Sequence, residues 1–176
     1  GKTLVKEWLY NCLSGSFSIT RSPKSYNSQV GVPLSIWLLD ENSEIGIFEA
    51  GISMPGEMEK LQPVLLPDIG LFTNIGEAHQ ENFSDIEQKV AEKLKLFHKC
   101  KTLIYCRDHE VITKVISGTP EMAGVKLLTW SRKAGSTIHV KEIIKEDLST
   151  HFTVNYTGEE FRCSIPFADD ASLENA

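Results

Sequence analysis

The sequence predicts an α/β protein: a mostly parallel sheet with helices on both faces, and a small antiparallel β annex near the C-terminus. Three observations predict it. Between Phe17 and Trp130 short apolar runs alternate with segments of helical spacing, the pattern of strands buried under crossover helices. From residue 135 strict alternation takes over, with Thr157-Gly158-Glu159 placed as a hairpin turn. Gly1-Lys2-Thr3, directly ahead of a helical stretch, matches the end of the phosphate-binding pattern G-x-x-x-x-G-K-[ST] and makes the expected sheet P-loop-type.

Each element has a local cause. Leu4, Val5, Trp8, Leu9, Cys12 and Leu13 recur at helical spacing, and Ser14-Gly15-Ser16 stops that helix. Phe17–Thr20 alternates as a short strand and leads into a polar loop over 21–29. Gly31-Val32-Pro33 starts a second helix through Trp37 and Leu39, and Glu44–Ala50 reads as a buried strand ending at Gly51. Pro55-Gly56-Glu57 opens a short helix to about Leu61, and Asp68–Ile75 is an apolar strand ending at Gly76. Ser84-Asp85 with Glu87 approximates a capping box, so a helix should run from there to about His98. Thr102–Cys106, Asp108–Ser117 and Val125–Trp130 then read as strand, helix and strand, and 137–144, 151–156 and 160–165 as the annex. The expected organisation is an α/β core over 1–134, a β-rich annex over 135–167 and the start of a helix over 168–176.

With 176 residues and 41% hydrophobic content the chain can bury one core. Its formal net charge of −6 offers no basic footprint for nucleic acid, whereas a nucleotide needs only a local positive site. No apolar run approaches the roughly 18 residues of a membrane span, and no charged-then-apolar leader opens the chain. Cys12, Cys100, Cys106 and Cys163 form no C-x-x-C pair and no zinc-like spacing. With Cys12 on an apolar helix face and Cys106 in an apolar strand, buried reduced thiols of a cytoplasmic protein are expected. The chain starts without Met and stops at Glu174-Asn175-Ala176 as a helix begins, so both ends are expected to be cuts from something longer.

In open α/β sheets ligands bind beyond the carboxyl ends of the strands. Three polar groups fall there: Glu49-Ala50-Gly51, the stretch Asn74-Ile75-Gly76-Glu77-Ala78-His79, and the loop around Asn27. A carboxylate directly after an apolar strand, in a chain with a GKT, suits Mg²⁺, which takes one or two carboxylates together with water and phosphate oxygens. His79 alone reads as a metal ligand or a capped loop residue. From charge alone, Lys89, Lys93, Lys95 and Lys99 read as a solvated helix face without a role.

Three longer stretches then carry a family resemblance. Ser22-Pro23-Lys24-Ser25-Tyr26-Asn27-Ser28-Gln29-Val30-Gly31-Val32-Pro33 resembles a substrate loop of the Mur ligases. Glu49-Ala50-Gly51-Ile52-Ser53-Met54-Pro55-Gly56-Glu57-Met58 resembles their E-x-G-x-x-x-x-G-E-[IM] segment. Thr73-Asn74-Ile75-Gly76-Glu77-Ala78-His79 with Glu81-Asn82-Phe83 resembles T-N-I-x-x-A-H-x-E-x-F. The subgroup resembled is the UDP-N-acetylmuramoyl-tripeptide–D-alanyl-D-alanine ligases of cell-wall synthesis, and the likeness covers the whole chain as their central ATP-binding domain.

The resemblance implies an ATP-dependent carboxylate–amine ligase acting through an acyl phosphate, with UDP-N-acetylmuramoyl-tripeptide and D-alanyl-D-alanine as substrates. It implies that the family's N-terminal and C-terminal domains lie outside these residues, and residues 1–176 alone are expected to bind ATP weakly or not at all and not to ligate. It gives Lys2 to the β/γ-phosphates, with Gly1, and Thr3 and Glu49 to a first Mg²⁺. His79 and Lys93 go to a second Mg²⁺, Lys93 as a carbamylated lysine, which reverses its reading from charge alone. Asn74 falls near the γ-phosphate, Asn27 and Ser28 in the muramoyl-substrate loop, and Asn175 at adenine. Two departures stand out. Ala171-Ser172 replace the His-Asn that often precedes the last asparagine's helix, and the strand and first glycine of the phosphate loop are absent, which implies a sheet lacking an interior member. The alternatives are another Mur or folylpolyglutamate-type ligase, or a nucleotide-binding module without catalysis.

Overall fold

The computed structural model describes residues 1–76 and 78–176; Glu77, in one of the quoted motifs, lies outside the described residues. Helix α1 (Lys2–Leu13) is followed by β1 (Ile19–Arg21), α2 (Gly31–Ile36), β2 (Ile45–Ile47), α3 (Glu57–Leu65) and β3 (Ile69–Phe72). Then come α4 (Ile86–Leu94), β4 (Thr102–Cys106), α5 (Glu110–Ser117) and β5 (Lys126–Ser131). Strands β6 (Ile138–Lys145), β7 (Thr150–Tyr156) and β8 (Glu159–Ile165) precede a terminal α6 (Asp170–Asn175). The α/β architecture with an antiparallel C-terminal part is as expected from the alternation of periods.

The parallel strands fall in two sheets. β1 pairs with β2 through Ile19↔Ile45 to Arg21↔Ile47, and β3, β4 and β5 form a second parallel ladder. β2 and β3 are not neighbours in either sheet. β6 joins the larger sheet through two pairs only, Trp130↔Ile138 and Ser131↔His139, parallel to β5. A parallel pair normally needs a long crossover. Here the connection is short because β6 passes the end of β5 and then runs on beyond it to meet β7 and β8, both antiparallel. The tight turn between those two places Thr157 at φ 53° and Gly158 at φ 91°, the left-handed pair of a type I′ hairpin.

Two apolar clusters hold the layers. Phe72, Leu103 and Tyr105 of the larger sheet pack against Val90 and Leu94 of α4 and Ile112 and Ile116 of α5. Val32, Met58, Leu61, Phe83 and Leu96 form the second cluster beneath α2 and α3. A close approach requires glycine at position 70, where a Cβ would sit 2.4 Å from the Phe97 ring.

Several expected boundaries move. The strand expected over Glu44–Ala50 keeps only three residues, so Phe48, Glu49 and Ala50 lie past the ladder. α2 ends at Ile36 and leaves Trp37 88% exposed. α3 starts at Glu57 and continues past Leu61 with Pro63 inside it. α4 ends at Leu94 and tightens into a 3-10 turn over Lys95–Phe97. The expectation of buried thiols holds for Cys100 and Cys106 and fails for Cys12, which is exposed, and Cys163, which is half-buried. Only Val5 and Lys6 of α1 are buried, so the predicted apolar stripe does not continue into the core at the helix's C-terminal end. No helix among the described residues is long and apolar enough to cross a membrane.

Candidate active site

Segments distant in sequence converge on the first turn of α1. Gly1 caps the helix, and the Val5 amide donates to the Gly1 carbonyl at 3.1 Å. The free N–H groups of that turn and the positive end of the helix dipole therefore lie together. Thr3 Oγ1 donates to Glu49 Oε2 at 2.8 Å, and Asn27 Nδ2 donates to Glu49 Oε1 at 2.7 Å. The Glu49 amide donates to Ser22 Oγ at 3.1 Å, and the Gly51 amide to the Asn27 carbonyl at 2.7 Å. Glu49 is buried, 5% exposed, and does not face solvent as an acid at a strand end ordinarily would. Gly51 permits this approach, since a Cβ there would lie 3.1 Å from the Asn27 side chain.

Asn74, just past β3, and Asn175, in α6, flank Gly1: a Cβ built on Gly1 would lie 3.6 Å from Asn175 Oδ1 and 3.8 Å from Asn74 Nδ2. α6 is held by its cap, Asp169 accepting from the Ser172 amide at 2.8 Å, and by Glu174 against His109 at 2.7 Å. The Trp8 and Phe167 rings, 5.7 Å apart, bring that region against α1.

Lys2, Asn74 and Lys93 line a narrow cleft with Ala50, Phe72 and Phe97. Lys93 Nζ lies 3.4 Å from the Asn74 carbonyl and 5.4 Å over the Phe72 ring. Burial, then the positive charges of Lys2 and Lys89, bring the Lys93 ammonium from 10.5 down to about 8. A fraction of its amine is thus neutral at physiological pH.

The solvated-face reading of the α4 lysines fails at two positions. Lys93 is half-buried, and Lys89 is 2% exposed, donating to the Gly76 carbonyl at 2.7 Å and the Ala78 carbonyl at 2.5 Å. It thereby fixes the two sides of the loop that follows Asn74. Lys95 pairs with Glu92 at 2.8 Å. Burial opposes the Glu92 charge, but the Gly56 amide and the Lys95 ammonium outweigh it and hold the carboxyl below its usual range. Lys99 alone is fully at the surface.

Two expected residues stand apart. His79 is exposed, in the left-handed region at φ 59°, heading the 3-10 turn over Gln80–Asn82. Among the described residues no contact joins its ring to Thr3 or Glu49. Ser28 accepts from the Gly31 amide at 3.1 Å and so shapes the start of α2. Sequence reasoning missed Lys6, Ser22 and Lys89. For Lys6 a signal existed: Thr3, Lys6, Glu7 and Tyr10 form a polar stripe at helical spacing.

An ordered carboxylate, a threonine hydroxyl and two lysines near a helix N-terminus are a donor set that could hold phosphate oxygens together with a hard divalent cation. The donors fit Mg²⁺: both Glu49 and Thr3 supply oxygen, 2.8 Å apart, and leave positions for phosphate and water. Among the described residues no three His, Cys, Asp or Glu side chains gather as a softer metal would require.

The family model described as the Mur ligase middle domain matches residues 1–176. The chain belongs to that family. This Mur ligase middle domain is 26% identical over 179 residues to the UDP-N-acetylmuramoyl-tripeptide–D-alanyl-D-alanine ligase of Bacillus subtilis, covering 100% of this chain and 37% of the relative. It superposes on MurF ligase from Thermotoga maritima, solved in complex with ADP, with TM-score 0.84 at 25% identity, covering 99% of this chain and 40% of that one. It also superposes on MurF from Acinetobacter baumannii with TM-score 0.89 at 20% identity, covering 99% and 38%, which shows the shared fold. The chain thus spans about two fifths of the length of these relatives.

Proposed function

We propose that this chain is the nucleotide-binding middle domain of an ATP-dependent UDP-N-acetylmuramoyl-tripeptide–D-alanyl-D-alanine ligase, working in the cytoplasm with N- and C-terminal domains of the same protein. The observation that carries the reading is the Thr3–Glu49–Asn27 group. It joins the phosphate end of α1 to the substrate-type loop, so a phosphoryl donor and an acceptor carboxylate would meet over one ordered carboxylate. The names of the relatives supply the substrate class.

In this reading the substrate's terminal carboxylate oxygen attacks the γ-phosphorus of ATP, the bond to the β-bridging oxygen breaks, and ADP departs. The amine of D-alanyl-D-alanine then attacks the acyl carbon, phosphate leaves with the C–O bond, and the amine loses its proton. Both steps depend chiefly on positioning and on neutralising phosphate charge. Lys2 and the amides around Gly1 take the β/γ-phosphates, and Asn74 lies at the γ-phosphate. Asn27 and Ser28 belong to the acceptor side, and Asn175 to adenine. Thr3 and Glu49 would hold a first Mg²⁺, which when bound neutralises phosphate charge.

Lys93 as a carbamate, with His79, would serve a second Mg²⁺. The lowered Lys93 pKa supports the modification, because only the neutral amine adds to CO₂, forming an N–C bond and releasing one proton. In the full-length protein, ADP release is expected to require both UDP-N-acetylmuramoyl-tripeptide and D-alanyl-D-alanine. Sustained ADP release over many turnovers independent of either one would sink the ligase reading.

A further inference from the structure

Thr3, Lys6, Glu7 and Tyr10 stand at i, i+3, i+4 and i+7 and share one face of α1. That face reads out two other parts of the chain. Thr3 meets Glu49 at 2.8 Å. Lys6 is 3% exposed; its ammonium donates to the Ser22 carbonyl at 2.8 Å and to the Lys24 carbonyl, and forms an ion pair with Glu7 Oε1 at 3.2 Å. Glu7 Oε2 takes Arg21, whose guanidinium lies 3.5 Å over the Tyr10 ring.

The loop reached by Lys6 is the one that presents Asn27. Ser22, 1% exposed, accepts from the Glu49 amide through its hydroxyl while its carbonyl accepts from Lys6. Lys24 sits at φ 48°, a conformation non-glycine residues seldom adopt, and its carbonyl is one that Lys6 holds. Tyr26 closes the turn by donating to the Pro23 carbonyl at 3.1 Å, and Asn27 follows directly with its bonds to Glu49 and Gly51. A buried ammonium needs paired acceptors, so the two carbonyl bonds and the Glu7 pair hold the loop against α1.

We propose that Lys6 is a positioning residue that fastens the Ser22–Gln29 loop to α1, so that the acceptor-substrate loop and the phosphate end of the helix form one body. The names of the two ligands rest on the ligase reading; the tie itself does not.

The kinetic test uses the full-length protein and Lys6→Met, which keeps the aliphatic stem and removes all three donors. The expected result is a KM for UDP-N-acetylmuramoyl-tripeptide raised about tenfold or more, against a change of at most about threefold for Mg-ATP, the loss expected for bonds from a charged donor. Equal changes in the two KM values, or none, would overturn the inference. Amide exchange in the wild-type protein needs neither substrate nor variant, and decides the matter even where Lys6→Met does not fold. The Tyr26 and Gly51 amides are expected to open with the same free energy as the Val5 amide in the first turn of α1. Loop amides that open independently of α1 would refute the tie. If the exchange energies coincide while the wild-type protein turns over neither substrate, the ligase reading fails and the tie stands.

Discussion

Replacing Lys93 by Met should change how stability depends on pH, and the structure sets both the sign and the size. In the folded chain the ammonium titrates at about 8, because burial and the charges of Lys2 and Lys89 oppose it; its ordinary value is 10.5. Below about pH 8 both folded and unfolded chains hold the proton, and the folded state carries the full penalty. Between about 8 and 10.5 the unfolded chain binds more protons, so stability rises with pH. Integrating that difference gives about 2.5 kcal/mol gained between pH 7 and pH 10.

Tyr105, Cys100 and Cys106, all raised by burial, act in the opposite direction as pH climbs through their unfolded values. They are common to both proteins and cancel in the difference. The assay is urea denaturation of wild type and Lys93→Met across that range in CO₂-free buffer, which keeps the amine unmodified. The wild-type-minus-variant difference should climb by about 2.5 kcal/mol, and the variant should be the more stable protein at pH 7. A difference that stays flat across the range would show that Lys93 is not desolvated as described.

Gly70→Ala should destabilise the chain by about 1–3 kcal/mol in chemical denaturation, since the new Cβ would overlap the Phe97 ring in a packed core. Asp85→Ala should cost about 1 kcal/mol by removing the carboxylate that accepts from the Gln88 amide at 2.7 Å, visible as a lowered denaturation midpoint. Lys89→Met should cost about 2 kcal/mol or more and speed amide exchange around Gly76 and Ala78, whose carbonyls lose a charged donor. Glu49→Gln in the full-length protein should weaken Mg-ATP binding about tenfold by calorimetry, because it removes the charge of the one carboxylate proposed for the first Mg²⁺ while keeping the side chain's size.

The order of strands and helices was legible because their signals are local. Gly51 and Gly76 punctuate apolar runs, and Asp85 announces α4 with a cap that the structure shows. The same punctuation put Glu49 and Asn74 at the C-terminal ends of apolar runs, and the structure ends the strands before both, at Ile47 and Phe72. The solvated-face reading of Lys89, Lys93, Lys95 and Lys99 held for Lys99 and failed for Lys89, since charge says nothing about which carbonyls await a lysine in the folded chain. Cys12 was misread for the converse reason: an apolar stripe marks a face, and whether that face meets a partner at a given turn depends on what packs there.

The sequence by itself determined the α/β class, the parallel-to-antiparallel change and the residue types gathered at the start of α1, because periodicity, turn residues and short motifs act over a few residues. Only the tertiary structure decided that Thr3, Asn27 and Glu49 form one hydrogen-bonded group, that Asn74 and Asn175 flank Gly1, and that Lys6 and Lys89 are buried. A lysine's cost of burial is offset only by acceptors from other segments, here Ser22 and Lys24 for Lys6, Gly76 and Ala78 for Lys89. No window of sequence contains both the ammonium and the folded chain that brings those carbonyls to it.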